Sequence, residues 1–227
     1  MSNLYDISDI KKIFKDKNVI IVGPANNLIG ENKGKFIDSF DIVCRLNDSY
    51  IISKERQKDY GKRCDILFNT CNCELLCIIN RYQKYLKNCK VIINPTSKIH
   101  KQDYKNTKKT VYENYLDINL GLNTGMCTLD FILNGLNIKS LYICGFSFHG
   151  IKEKKYIKND IVNSYETYLF NSKIVYNCNC NKNKPCKKRI DPRYGKLSNE
   201  YNQLNFFKNE ILKNSKVKID KTIDKLL

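Results

Sequence analysis

Short runs of β-branched and other apolar residues recur along the chain, each bounded by polar or glycine-containing segments. Uninterrupted runs of this length are typical of strands that are buried on both faces of a parallel sheet. The runs that we interpret as strands are Asn18–Val22, Asp41–Leu46, Asp65–Phe68, Lys90–Ile93, Ser140–Cys144 and Val217–Ile219.

Longer apolar patterns between the runs predict helices at Cys73–Leu86, Met126–Leu136 and Ser198–Lys213. Strands that alternate with helices indicate an α/β fold, a mostly parallel sheet flanked by helices. Ligands of such sheets bind beyond the carboxyl ends of the strands. With 227 residues, the whole chain, 1–227, is expected to form a single domain.

The pattern breaks down between Phe148 and Arg193, where Lys, Asn and Tyr dominate without clear periodicity. A loop of this length is uncommon unless it is functional or disordered. We expect residues 149–193 to form either a Lys-rich lid over the carboxyl edge of the sheet or a flexible surface insertion.

The net charge of +17 favours anionic partners such as nucleotides, nucleic acid, acidic glycans or lipid headgroups. No recognisable nucleic-acid motif accompanies the charge, so a nucleic-acid-binding protein is the least favoured interpretation. Charge alone does not choose among the other partners.

The segment Met1–Asn18 contains no continuous hydrophobic region, and no stretch approaches the roughly 20 apolar residues of a membrane span. We therefore expect a cytoplasmic protein without a membrane anchor, whose eleven cysteines are mostly reduced. Cys44, Cys127 and Cys144 lie in apolar runs and are predicted to be small buried hydrophobes.

Three polar segments are candidate ligand-binding elements. In the loop after the first strand, Asn26 and Asn27 carry both donors and acceptors that suit a base or ribose. The second element, Arg45–Asn47, ends the second strand. In the third, Asn123 or Thr124 caps a helix that begins near Gly125, whose exposed N–H groups favour a phosphate. Ordinary turn formation and helix capping remain the alternatives.

Taken together, these elements resemble a known family. The stretches Val19–Leu28, Ile37–Asp41 and Arg45–Asn47 look like the large sialyl motif of eukaryotic-type sialyltransferases, glycosyltransferase family 29. The stretch Asn123–Phe146 looks like the small sialyl motif of that family. The resemblance covers roughly residues 18–70 and 120–150.

This resemblance implies a Rossmann-like, GT-A-type fold and transfer of a sialic acid or Kdo-like sugar from a CMP-sugar to a glycan hydroxyl. It further implies inversion by a single displacement, and neither a metal nor another cofactor. By the same resemblance, Asn27 and Asn47 contact the nucleotide, and the turn Asn123–Gly125 receives the phosphate and ribose.

A fainter similarity connects Tyr60–Asp65, Phe68–Asn69 and Gly145–Phe148 to bacterial sialyltransferases of family 42. It implies that Asn69 touches the donor sugar and that Tyr156 steadies the leaving phosphate. Neither role follows from composition or spacing.

The chain departs from family 29 at the general base. The family uses a His near its C-terminal helix, whereas the corresponding residues 189–200 contain no His and place Tyr194 there. A phenol has an unperturbed pKa of about 10, so Tyr194 would need nearby cations such as Arg193 to act as a base. His149, after the fifth strand, and Asp191 are the other candidate bases.

The missing His leaves several interpretations open: a relocated base, a different acceptor chemistry, or a protein that binds nucleotide without transferring sugar. A second unassigned feature is the cluster of Cys178, Cys180 and Cys186. A structural zinc usually needs four ligands at tighter spacing, so we expect no metal there.

Overall fold

Seven parallel strands form the centre of the molecule. The computed structural model describes residues 6–47, 49–50, 52–69, 83–95, 111–113, 122–146, 203–225 and 227. The strands are β1 (Asn18–Val22), β2 (Ile42–Leu46), β3 (Ile66–Phe68), β4 (Val91–Asn94), β5 (Val111–Glu113), β6 (Ser140–Cys144) and β7 (Val217–Ile219). Their order in the sheet is β5-β4-β3-β2-β1-β6-β7, and every pairing is parallel.

The strand order reverses beside β1. From β1 to β5 each strand is added on one side, whereas β6 pairs with the other side of β1 and β7 follows it. In open α/β sheets, such a switch point opens a crevice at the carboxyl ends of the two central strands. The crevice here lies beyond Val22 and Cys144, which are register partners.

Short helices surround the sheet: α1 (Ile7–Phe14), α2 (Gly34–Asp38), α3 (Gln57–Tyr60), α4 (Thr124–Gly135) and α5 (Lys221–Asp224). A further helical segment covers 203–206 and continues as a π-helical turn at Phe207–Ile211. Turns of 3-10 helix occur at Asn26–Leu28, Lys54–Arg56 and Gln83–Leu86. Among the described residues, no helix is long and apolar enough to cross a membrane.

Alternate residues of the five strands β1, β2, β3, β4 and β6 lie on opposite faces of the sheet. Val19 and Ile21 of β1 pack in one core with helices α1 and α4 and with the 203–211 segment. Ile20 and Val22 pack in a second core with α2 and α3. Burial on both faces explains why the strands are continuous apolar runs. The chain therefore has the expected α/β, Rossmann-like fold.

All six predicted strands are confirmed, within one residue at their ends. The strand β5 was not predicted, because Val111–Glu113 is only three residues long and lies in a polar stretch. Helix α1 was also missed. Its signal is the capping box formed by Asp6 and Asp9, followed by Ile10 and Phe14 one turn apart on a buried face.

The predicted helix Met126–Leu136 is confirmed as α4, which begins two residues earlier, at Thr124. The predicted helix Ser198–Lys213 is confirmed only from residue 203, with its last turn π-helical. Most of the predicted helix Cys73–Leu86 and the whole of the predicted lid, 149–193, lie outside the described residues.

Cys44, Cys127 and Cys144 are buried thiols, as predicted. Burial raises the pKa of the Cys127 thiol to about 11 and raises those of Cys44 and Cys144 well above their usual value. All three are therefore protonated near neutral pH and pack as small apolar groups.

Two glycines let the chain segments after β1 and β6 lie against each other. The Gly23 N–H donates to the Cys144 carbonyl at 2.9 Å, and the Ala25 N–H donates to the Gly145 carbonyl at 2.8 Å. Gly145 has φ 71°, and a Cβ added there would lie 2.6 Å from the Gly23 carbonyl oxygen. A side chain at either glycine would push the two segments apart.

We expect Gly145→Ala to lower the free energy of unfolding by about 2–3 kcal/mol, because it combines left-handed backbone strain with a steric clash. Gly135→Ala is the control, since its Cβ would only contact the Phe131 ring at 3.5 Å. That control should change stability by no more than about 1 kcal/mol. Urea unfolding monitored by circular dichroism measures both; equal losses would contradict the argument.

Candidate functional site

The carboxyl edge of the sheet at β1 and β6 brings the three polar elements together. Phe146, two residues after β6, is a neighbour of two of them, and Leu46 of the third lies 3.6 Å from the Cβ position at Gly125. The Asn27 Nδ2 donates to the Phe146 carbonyl at 2.8 Å. A Cβ at Gly125 would lie 3.1 Å from the Phe146 ring, so the start of α4 lies against it. Residues far apart in sequence thus form one site.

Asn27 is held with its amide oxygen ready to accept a hydrogen bond. Its donation to Phe146 fixes which side-chain atom is nitrogen, because a flipped amide would place two oxygens together. The Oδ1 atom is buried and has no hydrogen-bond partner within the described ranges. A buried acceptor without a partner costs about 1–3 kcal/mol, so this atom suits a ligand that donates.

Asn47, at the end of β2, is a second asparagine with a buried amide oxygen. It lies one residue beyond the strand with φ 47°, a left-handed conformation that Asn tolerates better than most residues. Its N–H donates to the Phe68 carbonyl at 2.7 Å, which holds it at the sheet edge. Its Oδ1 is also buried and lacks a partner in the part of the chain that the structure describes.

The turn Asn123–Gly125 begins helix α4, as the sequence predicted. Asn123 is the N-cap, and its Oδ1 accepts from the Met126 N–H at 3.0 Å. The first N–H groups of a helix, here those of Thr124 and Gly125, have no partner within the helix. The positive end of the helix dipole lies at the same place, so this turn favours an anion.

The remaining predicted site residues divide into two groups. Asn69 follows β3 at the same edge, fully buried, and its N–H donates to the Ile93 carbonyl at 2.9 Å. Asn26 lies in the 3-10 turn with Asn27, but its side chain is outside the described part. Tyr156, His149, Asp191 and Tyr194 are all outside the described residues, as are Cys178, Cys180 and Cys186.

Arg45, predicted beside Asn47, is part of the scaffold. Its side chain is fully buried, with Nε donating to the Arg63 carbonyl at 2.6 Å and Nη2 to the Tyr60 carbonyl at 2.7 Å. The strand ends at Leu46, so Asn47 lies one residue beyond it, outside the regular alternation of the strand.

The stretch Tyr60–Asp65 also holds the scaffold together. The Arg63 guanidinium donates to the carbonyls of Asp38 and Phe40 and forms a 2.7 Å ion pair with Asp65. The Tyr60 hydroxyl donates to the Ala25 carbonyl at 2.7 Å, and this bond holds the loop after β1 in place. This role of Tyr60 was not predicted.

A buried ion pair, also not predicted, connects that loop to the C-terminal segment. Lys33, just before α2, pairs with Asp220, whose side chain is fully buried. The carboxylate also accepts from the Tyr142 hydroxyl at 3.1 Å, the Thr222 N–H at 2.8 Å and the Thr222 hydroxyl at 2.7 Å. Burial and the neighbouring carboxylate raise the pKa of the Tyr142 phenol well above its usual value, so it donates its proton.

Burial alone would raise the pKa of Asp220, but the hydrogen bonds from Lys33 and Thr222 outweigh burial. The pKa of this carboxyl therefore lies below its usual value. Among the described residues, no group of three or more His, Cys, Asp or Glu side chains is arranged to hold a metal. Independence from metal remains a prediction.

The fold and this edge define a Rossmann-like α/β protein with a crevice that suits a polar, anionic ligand. Residues 11–121, just under half of the chain, match the model of glycosyltransferase family 29 (sialyltransferase). This match confirms the resemblance drawn from the large motif: the chain is sialyltransferase-like, and the family is one of glycosyltransferases. The matched range ends before Asn123, so it does not include the small motif.

A solved structure of a mammalian sialyltransferase in complex with Gal-beta-1-3GalNAc-ortho-nitrophenol is also similar, at 14% identity and a TM-score of 0.45. The similarity covers 96% of this chain and 74% of that one. No curated protein matches the chain. Similarity at this level does not assign roles to individual residues.

The Asp220 network leads to a prediction about acid stability. We expect Asp220→Asn to lower the free energy of unfolding at pH 7 by about 3 kcal/mol, as for other buried pairs that lose one partner. Since the pKa of Asp220 is lowered in the folded state, its stabilising effect is present above its unfolded pKa of about 4. It is lost as the pH falls through the lower, folded pKa.

The difference between wild type and Asp220→Asn should therefore shrink below about pH 4. Lys221→Gln, which breaks the exposed pair with Glu31, is the control and should change little at any pH. Urea unfolding at a series of pH values measures the effect. A difference that stayed constant down to pH 2 would contradict this account.

Proposed function

We propose that the chain is a glycosyltransferase that moves a sialic acid or Kdo-like sugar from a CMP-sugar donor to a glycan hydroxyl. The reaction would invert the anomeric centre and need no metal. The family match supports the transferase class. The donor, the stereochemistry and the independence from metal are proposals, and the geometry of the crevice supports the first of them.

The observation that carries this proposal is the pair of buried amide oxygens on Asn27 and Asn47. They follow neighbouring strands, β1 and β2, in which Val22 and Arg45 are register partners. Both oxygens accept hydrogen bonds, whereas the ribose hydroxyls and the cytosine amino group donate them. A cytidine nucleotide would therefore satisfy two acceptors that the protein leaves open.

The start of α4 would receive the phosphate. When the bond between the sugar and the phosphate breaks, negative charge grows on CMP as the leaving group. Preorganised N–H groups and the helix dipole stabilise such charge without a cation. Gly125 allows close approach, because a larger residue there would meet Phe146 and Asn123.

In a single displacement, the acceptor hydroxyl attacks the anomeric carbon while the bond to the phosphate oxygen breaks. A base takes the hydroxyl proton, and CMP departs with the electron pair. We propose Tyr194 or His149 as this base, with Asp191 as a third candidate. Asn69 and Tyr156 remain proposed contacts of the donor sugar and the leaving phosphate.

A second candidate function is a protein that binds nucleotide but transfers nothing. The observation in its favour is the lack of any His in residues 189–200. Both candidates require the same nucleotide site, so binding does not separate them. Turnover of a CMP-sugar does.

We expect CMP to stabilise the protein against heat and to bind in calorimetry more tightly than UDP or GDP. Binding to a built site should persist at moderate salt, whereas charge-driven binding should not. Equal, salt-sensitive binding of every nucleotide would contradict the proposed donor class. If CMP binds, CMP-sugars are screened for transfer with Tyr194→Phe and His149→Ala. Binding without hydrolysis or transfer across many acceptors would favour the inactive protein.

The role of Asn47 is tested by Asn47→Gly, which keeps the left-handed backbone accessible and removes the amide. We expect CMP to bind about tenfold more weakly, as for loss of one hydrogen bond. Stability should change by no more than about 1 kcal/mol, since the lost oxygen has no partner among the described residues.

Asn32→Gly is the matched control for this variant. Asn32 also has a positive φ, 54°, but it is exposed and its side chain bonds only locally, to the Gly30 carbonyl at 3.1 Å. Its replacement should leave the Kd for CMP unchanged. Equal effects of the two substitutions would remove the support for a nucleotide contact at Asn47.

A further inference from the structure

The N-cap of α4 is completed by a residue from the far end of the chain. In a capping box, the N-cap side chain accepts from the third helical N–H, and the third helical side chain accepts from the N-cap N–H. Asn123 makes the first of these bonds, to the Met126 N–H at 3.0 Å. The third helical residue is Met126 itself, whose side chain cannot make the second.

Gln203 supplies the missing acceptor. Its Oε1 accepts from the Asn123 N–H at 3.0 Å, across a separation of 80 residues. The Gln203 side chain is buried, with 4% of its surface exposed. The capping box of α4 is therefore closed by a different helical segment, and its geometry depends on how that segment packs.

The segment that carries Gln203 is firmly anchored. Leu204, Phe207 and Ile211 are buried in the same core as Met126 and Leu129 of α4. The π-helical turn at Phe207–Ile211 follows immediately. Turns of this kind are rare and frequently occur at functional sites.

We propose that Gln203 is a positioning residue of the crevice: by holding the Asn123 N–H, it fixes the turn Asn123–Gly125 in the orientation that receives the phosphate. This inference rests on the proposed function, because it assumes a nucleotide phosphate at that turn. Gln203 acts through Asn123 and need not touch the ligand.

Gln203→Met tests the proposal, because it keeps the length of the side chain and removes the acceptor. We expect CMP to bind about tenfold more weakly, within the usual range of coupling between neighbouring sites. Binding of cytidine, which lacks the phosphate, should stay the same. If Gln203 were needed only for stability, its replacement would lower the affinities for CMP and cytidine equally, or would change neither affinity in the folded protein.

Asn205→Met is the matched control, a similar polar-to-apolar change in the same helical segment at a half-buried position. It should leave the affinities for CMP and cytidine unchanged. An unchanged CMP affinity in Gln203→Met would overturn the proposal, as would an equal loss in Asn205→Met.

Gln203→Glu provides a second route if Gln203→Met does not fold. A carboxylate still accepts from the Asn123 N–H, so the cap of α4 can form in this variant. Its negative charge lies beside the turn and should lower the affinity for CMP more than the affinity for cytidine. This loss of CMP affinity should become smaller as the salt concentration rises. A wild-type affinity for CMP in this variant would overturn the placement of Gln203 beside the phosphate.

A failure of the proposed nucleotide-binding function can be distinguished from a failure of the proposal for Gln203. If wild-type protein binds no cytidine nucleotide, the nucleotide site itself is wrong. Hydrogen exchange of the Asn123–Met126 amides, measured without ligand, then decides the structural part alone. Faster exchange in Gln203→Met than in wild type and Asn205→Met is expected; unchanged exchange would overturn the positioning role.

Discussion

The architecture of the crevice depends on how closely the ends of β1 and β6 approach. Glycine at 23 and 145 removes the side chains that would separate the two backbone segments, and two interstrand hydrogen bonds continue beyond the strands as a result. That contact places Phe146 where both Asn27 and Gly125 reach it. Asn27 and the turn that begins α4 are therefore positioned relative to a backbone contact that tolerates no Cβ.

Within this frame, structural and ligand-binding polar groups can be told apart by their partners. Arg45 and Asp220 are buried and Arg63 is half-buried, and their hydrogen bonds go to the protein itself. Asn27 and Asn47 differ, because each keeps an amide oxygen without a partner among the described residues. Natural structures contain few buried acceptors of this kind, and such atoms are often explained by a ligand.

The sheet and the N-cap of α4 could be predicted because their signals are local. Runs such as Val19–Val22 need only burial on both faces, and Asn123 needs only the helix that follows it. The order of the sheet's strands, and hence the switch point beside β1, required the structure. Very short elements such as β5 gave too little pattern to detect.

The site was predictable only in part, because its residue types are visible in the sequence but its long-range contacts are not. Asn27, Asn47 and Asn123 stood out by residue type and position in the motifs, but the contacts that orient them come from elsewhere. Tyr60, Phe146 and Gln203 contribute through a hydroxyl, a backbone carbonyl and an amide whose partners are distant in sequence. No periodicity or spacing encodes such pairings, because they arise only once the helices pack on the sheet.

The two long-range bonds made by the C-terminal segment have a consequence for the order of events during synthesis. Gln203 bonds to a residue 80 positions earlier, and Asp220 to one 187 positions earlier. Contacts of such separation form late, because a large loop must close first. The loop after β1 is made well before these residues, so the crevice it borders takes its final shape only after residues 203–220 have left the ribosome.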